Sequence, residues 1–206
     1  LSAPEIVNIA NVSGISIKET LERLRDSGLD SLPGGGAEIL DNEVRHRIAR
    51  LKSSVDDWIT VHRTAHAVGL RSTATMMFGT GETIEQRMNH FVIVRQMQEE
   101  TGGFTAFIPW TFQDENTALD GTVEVSTGHD YLRTLALSRL FLDNVQHLQS
   151  SWVTQGKKIG QAGLAFGADD MGSIMIEENV VSAAGTHHKM TQDAMEHLIR
   201  AAGYEP

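Results

Sequence analysis

Apolar positions along the chain fall alternately into helical stripes and short unbroken runs, and this alternation predicts repeated strand and helix units. Ile17, Leu21 and Leu24 recur at three- and four-residue spacing behind Ser16-Ile-Lys-Glu19, and Ile84, Met88, Phe91 and Val92 do so behind Thr83-Ile-Glu-Gln86. Both openings have the capping-box form, in which a hydroxyl and a carboxylate or amide satisfy the first free N–H groups of a helix. Val55, Trp58, Ile59 and Ala65 mark another helix, and Leu132, Leu135, Ala136 and Leu140 a further one. Between the stripes lie segments rich in Thr, Val, Ile, Phe and Met at 71–78 (RSTATMMF), 103–109 (GFTAFIP) and 145–153 (VQHLQSSWV). Each is bounded by Gly, Pro or polar turn residues, which predicts buried strands. Segments 29–33 (LDSLP) and 168–175 (ADDMGSIM) are weaker strand candidates, and helices are predicted at 155–166, 177–184 and 190–202.

Strands alternating with helices of this length imply an α/β fold with a parallel sheet, because a parallel connection needs a crossover and the crossover is usually a helix. A doubly wound sheet and a (β/α) barrel both fit, but no G-x-G-x-x-G fingerprint opens a helix after a strand, which weakens the first. A complete eight-stranded barrel takes about 250 residues. Five units in 206 residues therefore predict a partial TIM-type (β/α) barrel, the C-terminal part of a single barrel domain over 1–206 with C-terminal helices. The chain starts at Leu1 with a helical pattern under way by Glu5, so the expectation is a piece of a longer protein.

Charge and composition narrow the function classes. With 17 Lys+Arg against 27 Asp+Glu the formal charge is 17 − 27 = −10. The longest basic cluster, Arg45, Arg47, Arg50 and Lys52, has Glu43 beside it, so no nucleic-acid surface is expected. Cysteine is absent, which removes disulfides, thiolate metal sites and cysteine nucleophiles from this chain. No apolar stretch approaches the roughly 18 residues of a membrane helix, and no signal-peptide pattern opens the chain, so no membrane partner and a cytoplasmic location are expected.

In parallel α/β folds the site lies where the strands end. After 29–33 come Gly34-Gly35-Gly36-Ala37-Glu38, where glycines allow close approach of a ligand and Glu38 can accept from a diol or amine. An ordinary glycine turn with an exposed Glu is the plainer reading. After 71–78 come Gly79-Thr80-Gly81-Glu82, in which Glu82 is either a ligand contact or a favourable charge at a helix start. The run Pro109-Trp110-Thr111-Phe112-Gln113-Asp114-Glu115-Asn116-Thr117 mixes aromatics with amides and suits a flat polar organic ligand. Gln149-Ser150-Ser151-Trp152-Val153-Thr154-Gln155 and Glu177-Glu178-Asn179 complete the set. His62 and His66 stand four apart, a spacing metal sites use, but Trp58 shares their face and helices of this fold lie outside the barrel; no metal ligand is assigned.

The segments 33–40 (PGGGAEIL), 72–82 (STATMMFGTGE), 101–117 (TGGFTAFIPWTFQDENT), 144–156 (NVQHLQSSWVTQG) and 177–185 (EENVVSAAG) together resemble the cyclic dehypoxanthine futalosine synthases. These are radical S-adenosylmethionine enzymes of the futalosine route to menaquinone. Aminofutalosine synthase and the deazaflavin synthase of the F420 chromophore share the glycine–glutamate and Glu-Glu-Asn elements, while Phe107-Ile108-Pro109-Trp110 and Ser150–Gly156 favour the cyclase. The resemblance implies S-adenosylmethionine and a four-iron, four-sulfur (4Fe-4S) cluster held by a C-x-x-x-C-x-x-C motif, with a flavodoxin or ferredoxin as electron donor. It further implies that a 5′-deoxyadenosyl radical takes a hydrogen from the substrate ribose, and that the carbon radical then adds to the substrate's benzoate ring. By position, Gly35, Gly36 and Glu38 would line the S-adenosylmethionine pocket, with Gly79 and Glu82 near its adenosine. Gln113, Ser151, Gln155, Glu178 and Asn179 would face the nucleoside-like substrate, and one of the acids would take the final proton, Glu178 being the catalytic candidate.

This sequence departs from the family in one respect: the cysteine motif is missing altogether. The 206-residue piece alone is therefore expected neither to bind the cluster nor to turn over. Two readings of other classes stay open here: a non-catalytic ligand-binding half-barrel, and a metal-dependent barrel hydrolase using His62, His66 and the acids.

Overall fold

Along Arg71–Phe78 the side chains of Ser72, Ala74 and Met76 are buried and alternate with Thr73 and Thr75, and from Met76 to Phe78 every residue is buried. That pattern is a strand entering a core covered on both faces. In the computed structural model, which describes residues 1–175 and 179–206, this segment is β2. It belongs to one four-stranded sheet with β1 (Ser31–Leu32), β3 (Phe104–Thr111) and β4 (His147–Leu148), ordered β1-β2-β3-β4. β1 runs parallel to β2, with Ser31 opposite Arg71 and Leu32 opposite Ser72. The helices are α1 (Ala3–Ser13), α2 (Ile17–Asp26), α3 (Asn42–Ile48), α4 (Val55–Ala67), α5 (Ile84–Thr101), α6 (Gly128–Phe141), α7 (Trp152–Ala165), α8 (Val180–Ala183) and α9 (Gln192–Ala201). The order of strands and helices is that of a partial (β/α) barrel, as the alternation predicts.

Two strand expectations need correction. Of 145–153 only His147–Leu148 is strand, because Ser151 takes the N-cap position and Trp152 and Val153 open α7. The segment 168–175 forms no strand and contributes one parallel bridge, Gln149 to Asp170. Its acids take up backbone donors instead: Asp169 Oδ1 accepts from the Leu148 N–H of β4 at 2.7 Å and Asp170 Oδ1 from the Gly172 N–H at 2.6 Å. Side-chain acceptors of this kind compete with a sheet ladder for the backbone. Five expected strands thus become four among the described residues.

The capping chemistry is partly as read. Thr83 and Gln86 form a complete box at α5, whereas Ser16 accepts from the Glu19 N–H but Glu19 turns its carboxylate to Arg23, 2.6 Å away. The α6 stripe is out of phase with the expectation: Tyr131, Thr134, Leu135 and Ser138 face inward, and Leu140 is 78% exposed. Ile84, expected in the α5 stripe, is likewise exposed, and His90, Phe91, Val94 and Met97 are the buried face.

The chain divides into two compact units. The first comprises Leu1–Met76, Glu82–Phe107 and Asn144–Gln146. In it α4 packs against α1, α2 and α5. Trp58 stacks on Phe104 with ring centroids 6.0 Å apart, and Phe91 meets Phe107 edge-on at 5.8 Å. Full burial of each such ring stabilises by roughly 2 to 3 kcal/mol. The second comprises Met77–Gly81, Ile108–Asp143 and His147–Pro206. There α7 packs against α6 and α9, over a cluster of Trp152, Leu164, Met171 and Met190. Among the described residues no helix is long and apolar enough to cross a membrane.

Candidate functional site

In the first unit the chain leaves β1 through Pro33 and turns sharply over 34–38. Gly34 lies so close to β2 that a Cβ there would stand 2.6 Å from Ala74 Cα. The Gly34 N–H donates to Thr73 Oγ1 at 2.8 Å, and its carbonyl accepts from Thr75 Oγ1 at 2.8 Å and Trp58 Nε1 at 3.3 Å. Gly36 has φ +83°, and a Cβ there would meet Pro4 Cδ at 2.6 Å, so only glycine fits. Gly35 between them is less crowded, with Ser2 Cβ at 3.7 Å from its would-be Cβ.

Glu38 follows with φ +46°, a left-handed conformation that costs a non-glycine residue about 1 kcal/mol or more. It is buried, contrary to the plainer reading of an exposed Glu, and its carboxylate is held by the Lys52 ammonium. Arg45 fixes the turn from below. Its guanidinium, 4% exposed, donates to the carbonyls of Gly36 at 2.8 Å, Ala37 at 2.6 Å and Ser53 at 3.0 Å. Burial draws the Arg45 guanidinium below its ordinary pKa, and the Glu38 and Asp57 carboxylates oppose this. Also in this unit, the Glu82 side chain is 1% exposed and pairs with Arg87 Nη2 at 2.6 Å, so it is a buried ion-pair partner and not a loose charge at a helix start.

The spaced histidines bond to hydroxyls. His62 Nδ1 lies 2.9 Å and His66 Nε2 2.8 Å from Ser72 Oγ, and His66 Nδ1 lies 2.7 Å from Thr101 Oγ1. Burial lowers the His62 pKa to about 3 and that of His66 to about 4, with His66 adding to the effect on His62 and Arg71 to that on His66. His90, fully buried, accepts the Leu40 N–H on Nδ1 at 3.0 Å, and burial lowers its pKa to about 3.

In the second unit three of the sequence-expected residues meet where β3 ends. Thr111, 1% exposed, accepts on Oγ1 from Gln113 Nε2 at 2.9 Å and from Gln155 Nε2 at 2.6 Å. Gln113 Oε1 in turn accepts from Thr186 Oγ1 at 2.6 Å. Gln155 Nε2 also reaches Thr154 Oγ1 at 3.2 Å, which lies 3.1 Å from Ser151 Oγ. The Ser151 N–H donates to the Tyr131 hydroxyl at 2.7 Å, and burial raises the Tyr131 pKa. These bonds tie Gln113, Ser151 and Gln155 into one network of amides and hydroxyls suited to sugar hydroxyls and carbonyls. Gly156, directly after Gln155, breaks α7 with φ +77° and ψ +170° and turns the chain out of the first turn.

Gly79, at the end of β2, packs against Ser126. Asn179 is exposed at the start of the four-residue α8 and makes no side-chain cap. Glu178, with Glu177, lies outside the described residues. Sequence reading missed Arg45, Lys52, Thr111 and Thr186. For Thr111 a signal existed: it is the last residue of the strand that feeds the amide-rich loop. Arg45 and Lys52 sit inside the basic cluster, where spacing alone reads them as surface charge.

The Glu38 carboxylate is already paired with the Lys52 ammonium, so an amino group of S-adenosylmethionine would have to share or displace that partner to be held there. A four-iron, four-sulfur cluster does not fit the residues present, since none of the 206 is cysteine.

Comparison with known proteins bears on these residues directly. The model of the CofH/MqnC C-terminal region matches residues 101–206, and that of the radical SAM superfamily residues 3–92. The chain is 51% identical over 205 residues to the cyclic dehypoxanthine futalosine synthase of Halalkalibacterium halodurans, covering all of this chain and 55% of that protein. It is 40% identical over 210 residues to the aminodeoxyfutalosine synthase of Thermus thermophilus, covering all of this chain and 56% of that one. The chain thus spans little more than half the length of these curated relatives. Among solved structures, methylornithine synthase (PylB) superposes with a TM-score of 0.68 at 17% identity, over 93% of this chain and 56% of that one, which shows the barrel fold. The match to the CofH/MqnC C-terminal region takes in β3, the Thr111 network and the Glu-Glu-Asn segment, and with the radical SAM match before it the chain belongs to the CofH/MqnC family of radical SAM enzymes.

Proposed function

We propose that the protein carrying this sequence converts dehypoxanthine futalosine to its cyclic form on the way to menaquinone. What carries the reading is the identity over the whole chain, 51% to a synthase of that name against 40% to an aminodeoxyfutalosine synthase. The placement of Gln113, Ser151 and Gln155 around Thr111 supports it, because a nucleoside-like substrate needs neutral donors and acceptors at the strand ends.

S-adenosylmethionine, when bound, supplies hydrogen-abstracting chemistry once an electron donor such as a flavodoxin or ferredoxin delivers an electron. The residues of this chain hold and orient. Glu38, shared with Lys52, would accept the amino group of S-adenosylmethionine, the backbone of Gly35 and Gly36 would allow its close approach, and Arg45 keeps that backbone fixed. Gly79 and Glu82 would border its adenosine. Gln113, Ser151, Gln155 and Asn179 position the substrate ribose, and such positioning contributes through entropy removed before the reaction. Glu178 would take the proton when the cyclised ring radical gives up that proton and one electron to recover its aromaticity, the electron passing to a one-electron acceptor of the iron–sulfur class. Residues 1–206 serve as the C-terminal part of one barrel domain, acting in the cytoplasm on a small nucleoside-like molecule, with no nucleic acid or membrane involved.

The test is a substrate panel. The intact protein, reconstituted with iron and sulfide under anaerobic conditions, is given S-adenosylmethionine, a reductant and one of three substrates: dehypoxanthine futalosine, the aminofutalosine precursors or the deazaflavin precursors. Consumption of dehypoxanthine futalosine alone is expected. Consumption of either other set in its place would assign the protein to that sister activity.

A further inference from the structure

We propose that the second unit contains a binding cavity for an organic carboxylate, set beside the Thr111 network and built from Lys157, His187, His188 and Lys189. The cavity has a volume of about 540 Å³, within the range that holds a small organic molecule. Two lysines and two histidines line it, and among its described lining residues none is acidic, in a chain whose Asp and Glu outnumber Lys and Arg by 27 to 17. Glu115, packed against Gly185, is outside the lining. A local excess of cations in an acidic chain concentrates anions there.

The remaining wall is apolar. Trp152, 2% exposed, and Met190, 6% exposed, belong to the buried cluster of this unit and present its edge to the cavity. A compact inorganic anion gains nothing from such a wall, and among the described lining residues no arginine supplies the planar fork that matches phosphate. Point charges beside an indole and a thioether instead suit a carboxylate on an aromatic or aliphatic body.

Two contacts tie the cavity to the chain already described. Gly156 lacks the Cβ that would stand 3.1 Å from His188 Cε1, so the histidine segment packs on the kink that precedes Lys157. Thr186, itself in the lining, donates to Gln113 Oε1 at 2.6 Å. One molecule can therefore place its carboxylate among the cations and its polar groups on the amide network. That joint use rests on the substrate reading given under Proposed function, whereas the carboxylate preference of the cavity does not.

Titrations of the intact protein with benzoate, with benzamide as the uncharged isostere, and with inorganic phosphate test this, read by ligand-observed NMR without any turnover. Benzoate is expected to saturate, benzamide to bind at least about tenfold more weakly, and phosphate not to displace benzoate. The K157Q/K189Q variant changes two exposed side chains, so it is expected to keep the parent's thermal midpoint while weakening benzoate about tenfold. Equal binding of benzamide, displacement by phosphate, or unchanged benzoate affinity in K157Q/K189Q would overturn the proposal. Selective benzoate binding by a protein that does not consume dehypoxanthine futalosine would sustain the cavity and sink the substrate reading. Turnover without benzoate binding would do the reverse.

Discussion

The hydroxyl of Thr111, at the end of β3, accepts the side-chain amide of Gln155 at 2.6 Å, joining a strand terminus to the first turn of α7 across 44 positions of sequence. Gln113 shares that hydroxyl from the other side. Replacing Thr111 by Val keeps the shape and removes the shared acceptor from two half-buried amides, leaving Gln113 the Thr111 carbonyl at 3.1 Å and Gln155 the Thr154 hydroxyl at 3.2 Å. Losing a hydrogen bond where other acceptors remain costs about 0.5 to 1.5 kcal/mol. T111V is expected to lower kcat/KM for dehypoxanthine futalosine by about tenfold or more, mainly through KM if the amides hold substrate in ground and transition state alike. Steady-state kinetics of the intact protein check it, and an unchanged KM would contradict the placement of Gln113 and Gln155 on the substrate.

Arg45 presents the second prediction. Its guanidinium serves three carbonyls of the 36–53 stretch from a site only 4% exposed. R45M retains most of the apolar stem and strands those carbonyls, with an expected loss of about 3 kcal/mol in unfolding free energy by urea denaturation. Because Gly36 and Ala37 precede Glu38, S-adenosylmethionine affinity is expected to fall with it. E38Q, which leaves the Arg45 bonds in place, is expected to lose affinity for S-adenosylmethionine with a smaller loss of stability.

Gly156 offers a test confined to backbone. At φ +77° and ψ +170° the residue occupies a region essentially reserved for glycine. G156A is expected to destabilise by about 1 to 3 kcal/mol, seen as a lower Tm. In G156A/H188A the contact with the imidazole is relieved and the backbone strain is not, so only part of the loss returns.

Buried histidines set the acid limit. His62 and His90, 0% exposed, have pKa values of about 3 in the fold, against about 6.5 when unfolded. The folded values are depressed, so this contribution is fully present above pH 6.5 and is lost as the pH falls from there toward 3. Each ring is expected to remove up to about 1.4 kcal/mol of stability per pH unit in that window. Urea midpoints measured between about pH 7 and pH 5 should decline accordingly, and a flat profile would mean that these rings take up protons in the fold at their ordinary pKa.

Much of the barrel pattern was legible because its signals are local. The Thr- and Met-rich run at 71–78 coincides with β2 residue for residue, and the apolar core of 103–109 lies within β3. The expectation failed at 145–153 because Trp152 and Val153 are apolar for the sake of a helix that Ser151 opens, and no periodicity in nine residues separates the two. The phase of α6 was misread for a different reason. Its inward face carries the polar Tyr131, Thr134 and Ser138, of which Ser138 bonds to the Thr134 carbonyl and Tyr131 to the Ser151 N–H, so hydropathy points to the wrong side. Glu38, Gln113, Ser151 and Gln155 drew notice by their place after strands, and the structure shows Glu38 buried and the other three in one hydrogen-bonded network. Arg45 and Lys52 were not, since a cation turned inward onto carbonyls or a carboxylate looks in sequence like any surface charge.

The central claim is that the intact protein places a futalosine-type ribose where a hydrogen can be taken from it. Dehypoxanthine futalosine deuterated on its ribose, incubated anaerobically with the reconstituted protein, S-adenosylmethionine and reductant, tests this most directly. The expected result is 5′-deoxyadenosine carrying deuterium, formed together with the cyclic product. Unlabelled 5′-deoxyadenosine with the substrate recovered intact would contradict the account.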